Sequence, residues 1–224
     1  MHMTLDQVTF MGCAFEAIMA LVLLAISFYS YSIFKITREK SYKWFSASFA
    51  LIAMSFIGRV IMQFVIHTNS LRKTVSDVVV LTLKHNGASD ILWHYGLFSY
   101  RTLMLLGLIG IFLILTKSKE KKSWILLGYL AIMTAVVSMR QMYVFDLTAA
   151  AIILLIFAQF AKNYMRRPSK RSLGVALAFL IIFFSHISFI FMNFDYSMFV
   201  AGKIIQLLGY LTLLAVYVGI LLRR

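Results

Sequence analysis

The chain has 224 residues, 62% of them apolar and only 13% charged, with a mean hydropathy of +0.88. A water-soluble domain sits nearer half apolar and a quarter charged, and this composition would leave large apolar patches in water. That excludes a soluble globule and makes the bilayer the solvent. A net charge of +14 would suit a nucleic-acid binder. The basic residues, however, gather in short segments between apolar runs, so membrane lipids are the expected partner and nucleic acid is not. The single cysteine, Cys13, excludes an intramolecular disulfide and a cysteine metal cluster.

A spanning helix needs about 20 mostly apolar residues. In chain order, such segments lie near 8–34, 43–66, 91–116, 123–143, 145–165, 172–193 and 198–222. The expected fold is therefore one all-α integral membrane domain over residues 1–224, a bundle of seven transmembrane helices. The first segment lacks a basic leader region and is too long for a signal sequence, so it is expected to remain as an anchor. Trp44, Trp93 and Trp124 fall at span ends, where an indole prefers the interface.

The segments "KITREKSYK", "KSKEKK", "KNYMRRPSKR" and the terminal "RR" carry fifteen Lys or Arg on one side. The other side has Arg72, Lys73 and Lys84. This asymmetry predicts an N-terminus outside and a cytoplasmic C-terminus, in a plasma or other cell membrane. Between the second and third spans, residues 67–90 read as an outer flap. Within it "DVVVLTLKH" is strand-like and "HNG" turn-like. The only proline, Pro168, lies between spans, so no helix carries the break common at transporter sites. Gly107 and Gly110, or Gly202 and Gly209, are suited to close helix contact.

Eight ionisable residues fall in the outer halves of the seven spans: Glu16, Arg59, His94, Arg101, Arg140, Asp146, His186 and Lys203. Glu16 and Arg59 lie about 11–12 Å below the outer ends of their spans, and Arg101 close to the midplane. The inner halves, such as "GLIGIFLIL", are almost free of charge. Ser55, Arg59 and Gln63 recur every four residues, and Lys203, Gln206, Tyr210 and Tyr217 share one side of the last span. Polar stripes on such helices turn inward. Glu16 is expected to pair with Arg59 or Arg101, and Arg140 with Asp146 across a short turn. Four cations against two acids imply water or an anion nearby, because an unpaired cation at the midplane costs at least ~2.5–3.5 kcal/mol.

These residues predict an outward-opening cationic pocket for a small, partly apolar anion or an acidic lipid headgroup. Its candidate ligand-binding residues are Arg59, Arg101, Arg140, Lys203, Glu16, His94, His186, Gln63 and Gln206. Arginine suits the task because its planar fork grips carboxylate or phosphate at two points. Trp93, Tyr95, Phe98, Tyr100 and Phe184 could supply the apolar wall.

No cofactor is expected, although His94 and His186 could serve as axial ligands of a haem. The seven-span count and the lysine in the last span resemble microbial rhodopsins. "WHYGLFSYRTLMLL" has no acidic counterion, and Lys203 lies too near the outer end, so the resemblance stops at helix count. No catalytic set is evident: "HExxH" is absent, and Ser185, His186 and Ser188 are neighbours on one helix. The chain reads as a receptor-like binding bundle that would signal through a cytoplasmic or membrane partner. A small-solute transporter or channel, and an intramembrane lipid-processing enzyme, are the alternatives.

Overall fold

The computed structural model describes residues 5–76, 86–117, 121–166, 168–193 and 197–221. It shows seven α-helices: α1 (Leu5–Thr37), α2 (Lys40–Ser76), α3 (Asn86–Leu115), α4 (Lys121–Ser138), α5 (Met142–Arg166), α6 (Lys170–Ile190) and α7 (Ser197–Leu221). A short 3-10 turn, Phe191–Asn193, follows α6, and no strand occurs among the described residues. Six helices are long and apolar enough to cross a membrane, which makes this an all-α, multi-pass membrane protein. Only α4 falls short, its apolar part covering Lys122–Ser138.

Two boundaries depart from the sequence reading. The fourth span, expected to reach residue 143, ends at Ser138. There the Ser138 hydroxyl donates back to the Ala135 carbonyl, and Met139 and Arg140 close tight three-residue bonds onto Val136 and Val137. Such bonds wind the last turn down and release the next helix. The expected flap also shrinks, because residues 67–76 continue α2 and 86–90 open α3. Its strand-like stretch, 77–85, lies outside the described residues.

Contacts between helices run α1–α2–α3–α5–α6–α7 and back to α1, a closed ring of six. Helix α4 stands outside it, against α3 and α5. Lipid gives apolar helices no reason to flee from it, so they adhere through close packing and polar contacts. Gly107 shows what close packing requires: a Cβ there would sit 2.8 Å from the Ser48 carbonyl oxygen of α2. Gly209 lets α7 approach the α6 backbone at Ala178 and Ile182 in the same way.

One half of the ring is filled by apolar side chains, among them Leu23, Ile26, Phe49, Leu105, Leu108 and Leu213. Outward faces are apolar as well; Leu21, Phe28, Ile125 and Leu126 are all more than half exposed, as lipid-facing positions should be. Trp44 of α2 and Trp124 of α4 pack together with ring centroids 6.1 Å apart.

Gly107→Val should therefore lower the thermal unfolding temperature in detergent, at a cost of about 1–3 kcal/mol, because it meets the Ser48 backbone carbonyl as well as the Ile52 side chain. Gly58→Ala, where nothing lies within 4 Å, should leave the midpoint unchanged.

Candidate functional site

Each of the six ring helices sends a polar or ionisable side chain to the same end of the bundle. Glu16 of α1 is fully buried. Its Oε1 accepts a hydrogen bond of 2.5 Å from Lys203 Nζ of α7 and lies 3.2 Å from Arg59 Nε of α2. One carboxylate thus joins three helices and faces two cations. Burial of such a group is tolerable only with this kind of pairing. The expected Glu16–Arg59 pair is present, with Lys203 rather than Arg101 as the second cation.

Both cations are also steered by aromatic faces. The Arg59 guanidinium carbon lies 4.8 Å from the centroid of Tyr100, and Lys203 Nζ lies 5.5 Å from both Phe189 and Phe199. Cation–π attraction of this kind strengthens where water is scarce.

Arg101 is buried in α3 and bonds across to α4. Its Nη1 donates to the Ser138 carbonyl at 2.6 Å and to the Ser138 hydroxyl at 3.1 Å. Ser138 is the last residue of α4, so the guanidinium satisfies an orphan carbonyl at the negative end of the helix dipole. Among the described residues Arg101 has no acidic partner. Its charge is solvated by a helix end and by the face of Phe145, 5.7 Å away, without being neutralised.

On α5 and α6, His186 Nδ1 and Asp146 Oδ1 are 3.0 Å apart. His186 is buried against Phe145 and Phe189 in edge-to-face contacts. The Arg140–Asp146 pairing read from the sequence is replaced by this contact, and Arg140 is exposed on the turn after α4.

Between these groups lies a cavity of about 220 Å³. Arg59, Arg101 and Lys203 form its cationic wall, Asp146 its acidic one, and Tyr100, Phe145, Phe189 and Phe199 its aromatic surface. Of the nine candidate residues, these three cations line it directly, and Glu16 and His186 hold members of the wall from behind.

Other candidates fall elsewhere. Gln63 accepts a hydrogen bond from Cys13 Sγ at 2.8 Å, and His94 is exposed. Neither it nor His186 lines the cavity. Among the described residues no cluster of three or more His, Cys, Asp or Glu could hold a metal ion. Gln206 is buried one turn beyond Lys203, and its amide atoms have no partner among the described residues.

Among the described residues Tyr100 is the one expected aromatic in the wall; Tyr95 and Phe184 are exposed, and the Trp93 side chain lies outside the described residues. Sequence reasoning missed Phe145, Phe189 and Phe199. Their signal was local, since each lies one, three or four residues from Asp146, His186 or Lys203. Ser138, the partner of Arg101, carried no such signal. Comparison with protein-family models, with curated proteins and with solved structures yields no match.

Replacing Glu16 by Gln leaves Arg59 and Lys203 without their shared anion. The variant should lose about 3–5 kcal/mol of stability. In a double-mutant cycle with Lys203→Met, the two losses should be non-additive by at least about 0.5 kcal/mol. Thermal unfolding of the four proteins in detergent measures both.

Proposed function

We propose that this chain is a receptor-like membrane protein whose cationic cavity, open toward the cell exterior, binds a small anion. In this reading all seven helices cross the bilayer, with the N-terminus outside and the C-terminus in the cytoplasm. The 17-residue apolar stretch Lys122–Ser138 of α4 gives about 26 Å at 1.5 Å per residue, near the lower bound for a span. The fifteen basic residues in the segments joining the spans and in the terminal "RR", against three on the other side, support this orientation.

The observation that carries the reading is Arg101, a buried cation in the cavity wall with no acidic partner among the described residues. Arg59, Arg101 and Lys203 against Glu16 and Asp146 leave at least one positive charge in excess. The matching occupant is an anion. A volume of about 220 Å³ is smaller than the roughly 300–1,000 Å³ of pockets for drug-sized ligands, so the occupant is small. Four aromatic rings in the wall favour a flat apolar body on it, as in a small aromatic carboxylate; an acidic lipid headgroup carries the same charge chemistry.

Transport ranks behind binding because Phe49, Leu105 and Leu213 fill the ring beyond the cavity. Catalysis on a lipid or ester draws on the Asp146–His186 contact, an arrangement in which a carboxylate orients an imidazole as base. It ranks lower because His186 is not in the cavity wall. A receptor of this kind would pass its signal to a membrane or cytoplasmic partner.

The test is calorimetric titration of benzoate into the protein in lipid nanodiscs, with benzamide as the neutral isostere. Benzoate should bind and benzamide should not. Arg101→Leu should insert normally and lose about 1.5–3 kcal/mol of benzoate affinity, roughly 10–150-fold. Equal binding by Arg101→Leu would sink the assignment.

A further inference from the structure

Building on the ligand-binding reading above, we propose that Arg101 couples the cavity to helix α4: an anion that engages Arg101 loosens the C-terminal end of α4 from the bundle. Arg101 is the one described residue that both lines the cavity and hydrogen-bonds to α4. The atom it holds, the Ser138 carbonyl oxygen, belongs to the last residue of the helix. That end carries roughly half a negative charge from the summed peptide dipoles. A ligand carboxylate carries a whole one. Only Nη1 is bonded to Ser138, so a carboxylate on the remaining N–H donors draws on the same positive charge and repels the helix end, and in this way ligand binding and α4 docking oppose one another. Linkage makes the opposition reciprocal: whatever weakens docking must strengthen binding by the same factor.

The fold directs this competition to α4 rather than to the ring. The ring helices are fastened at the same end by Glu16 with Lys203 and Arg59, and elsewhere by backbone contacts at Gly107 and Gly209. Helix α4 is outside the ring, resting on α3 and α5 with Ala131 and Ala135 buried, and among the described residues two specific side-chain contacts anchor its ends. One is Arg101 at its C-terminal end; the other is the Trp124–Trp44 contact near its N-terminal end, away from the cavity. Only the first involves a residue of the cavity. Loss of that hold lets α4 pivot on the tryptophan pair. Its outward face, including Ile125, Leu126, Tyr129 and Met133, is exposed, and sliding that face through lipid exchanges one apolar neighbour for another. The displaced surface is the one a membrane partner would read.

Spin labels measure the motion directly. In a Cys13→Ser background, one pair joins Val137→Cys at the end of α4 to Met54→Cys on α2, and a control pair joins Leu126→Cys to Met54→Cys; all three positions are exposed. Saturating benzoate should shift the 137–54 distance by about 2 Å or more and leave the 126–54 distance in place. Benzamide should do neither. Arg101→Gln should produce the same shift with no probe present. Ser138→Ala, which removes the weaker of the two bonds, should bind benzoate about 5-fold more tightly or better.

If calorimetry shows benzoate bound and the 137–54 distance is unchanged, the coupling is overturned while the binding assignment stands. If benzoate does not bind, that assignment fails for monocarboxylates, and the probe-free variants decide the coupling. An unshifted distance in Arg101→Gln overturns it. Should that variant not fold, Arg101→Lys, which keeps the charge and shortens the reach, takes its place with the same criterion.

Discussion

The bundle is organised around one carboxylate. Glu16 meets Lys203 across 187 residues of chain and Arg59 across the neighbouring helix. These contacts lie where the first and last helices meet, the contact that turns a row of helices into a ring. In lipid no apolar surface is removed from water when helices associate, so a directed polar contact has more influence on arrangement than it would in a soluble core. The pair also binds the fold to its charge. Removing Glu16 strands both cations in a poorly solvating interior, and that penalty exceeds the net gain from forming the group. The same triad sets the cavity, because two of its members are cavity walls.

Arg101 works differently. It is compensated by a helix end and an aromatic face, which are partial charges. Partial compensation keeps the side chain buried and ordered while leaving its full positive charge effective inside the bundle. Coulomb attraction for an anion grows as the surrounding dielectric falls, so an under-neutralised arginine within the membrane is a stronger recruiter than one on a wet surface. A carboxylate partner in place of the Ser138 carbonyl would stabilise Arg101 equally well and abolish that attraction. The structural role and the proposed binding role of this residue are therefore one arrangement.

Much of this could be read from the sequence, for a physical reason. Hydropathy reports the solvent, and the solvent dictates helices, so all seven were found with their approximate extents. The concentration of charge toward one end was legible because depth follows directly from residue count. Facing was harder. Tyr95 and Phe184 were expected in the wall and are exposed, whereas Phe145, Phe189 and Phe199 took those places. On helices apolar all round, aromatic residues carry no phase information; only the polar residues beside them do. The end of α4 was illegible altogether. No glycine or proline marks it, and "VVSMRQM" could continue a helix. Arg101, 37 residues away, supplies the partner for its last carbonyl, a tertiary contact that no local window contains.

The distribution of polarity also bears on what such a cavity could do. A conduit needs polar groups at intervals along its whole length, with none deep enough to trap the traveller. Here the charged groups crowd one end, and the remaining length of the ring is closed by packed side chains such as Phe49, Leu105 and Leu213. The helix interiors offer no proline break that would expose backbone carbonyls as stepping stones, since Pro168 lies between α5 and α6. In the proposed reading, an anion drawn in by the excess charge would meet a well of attraction followed by an apolar floor, with entry favoured and onward passage not. Energy released on entry can then be taken up only by the groups that form the well, and among them Arg101 is joined to the one helix that the ring does not enclose.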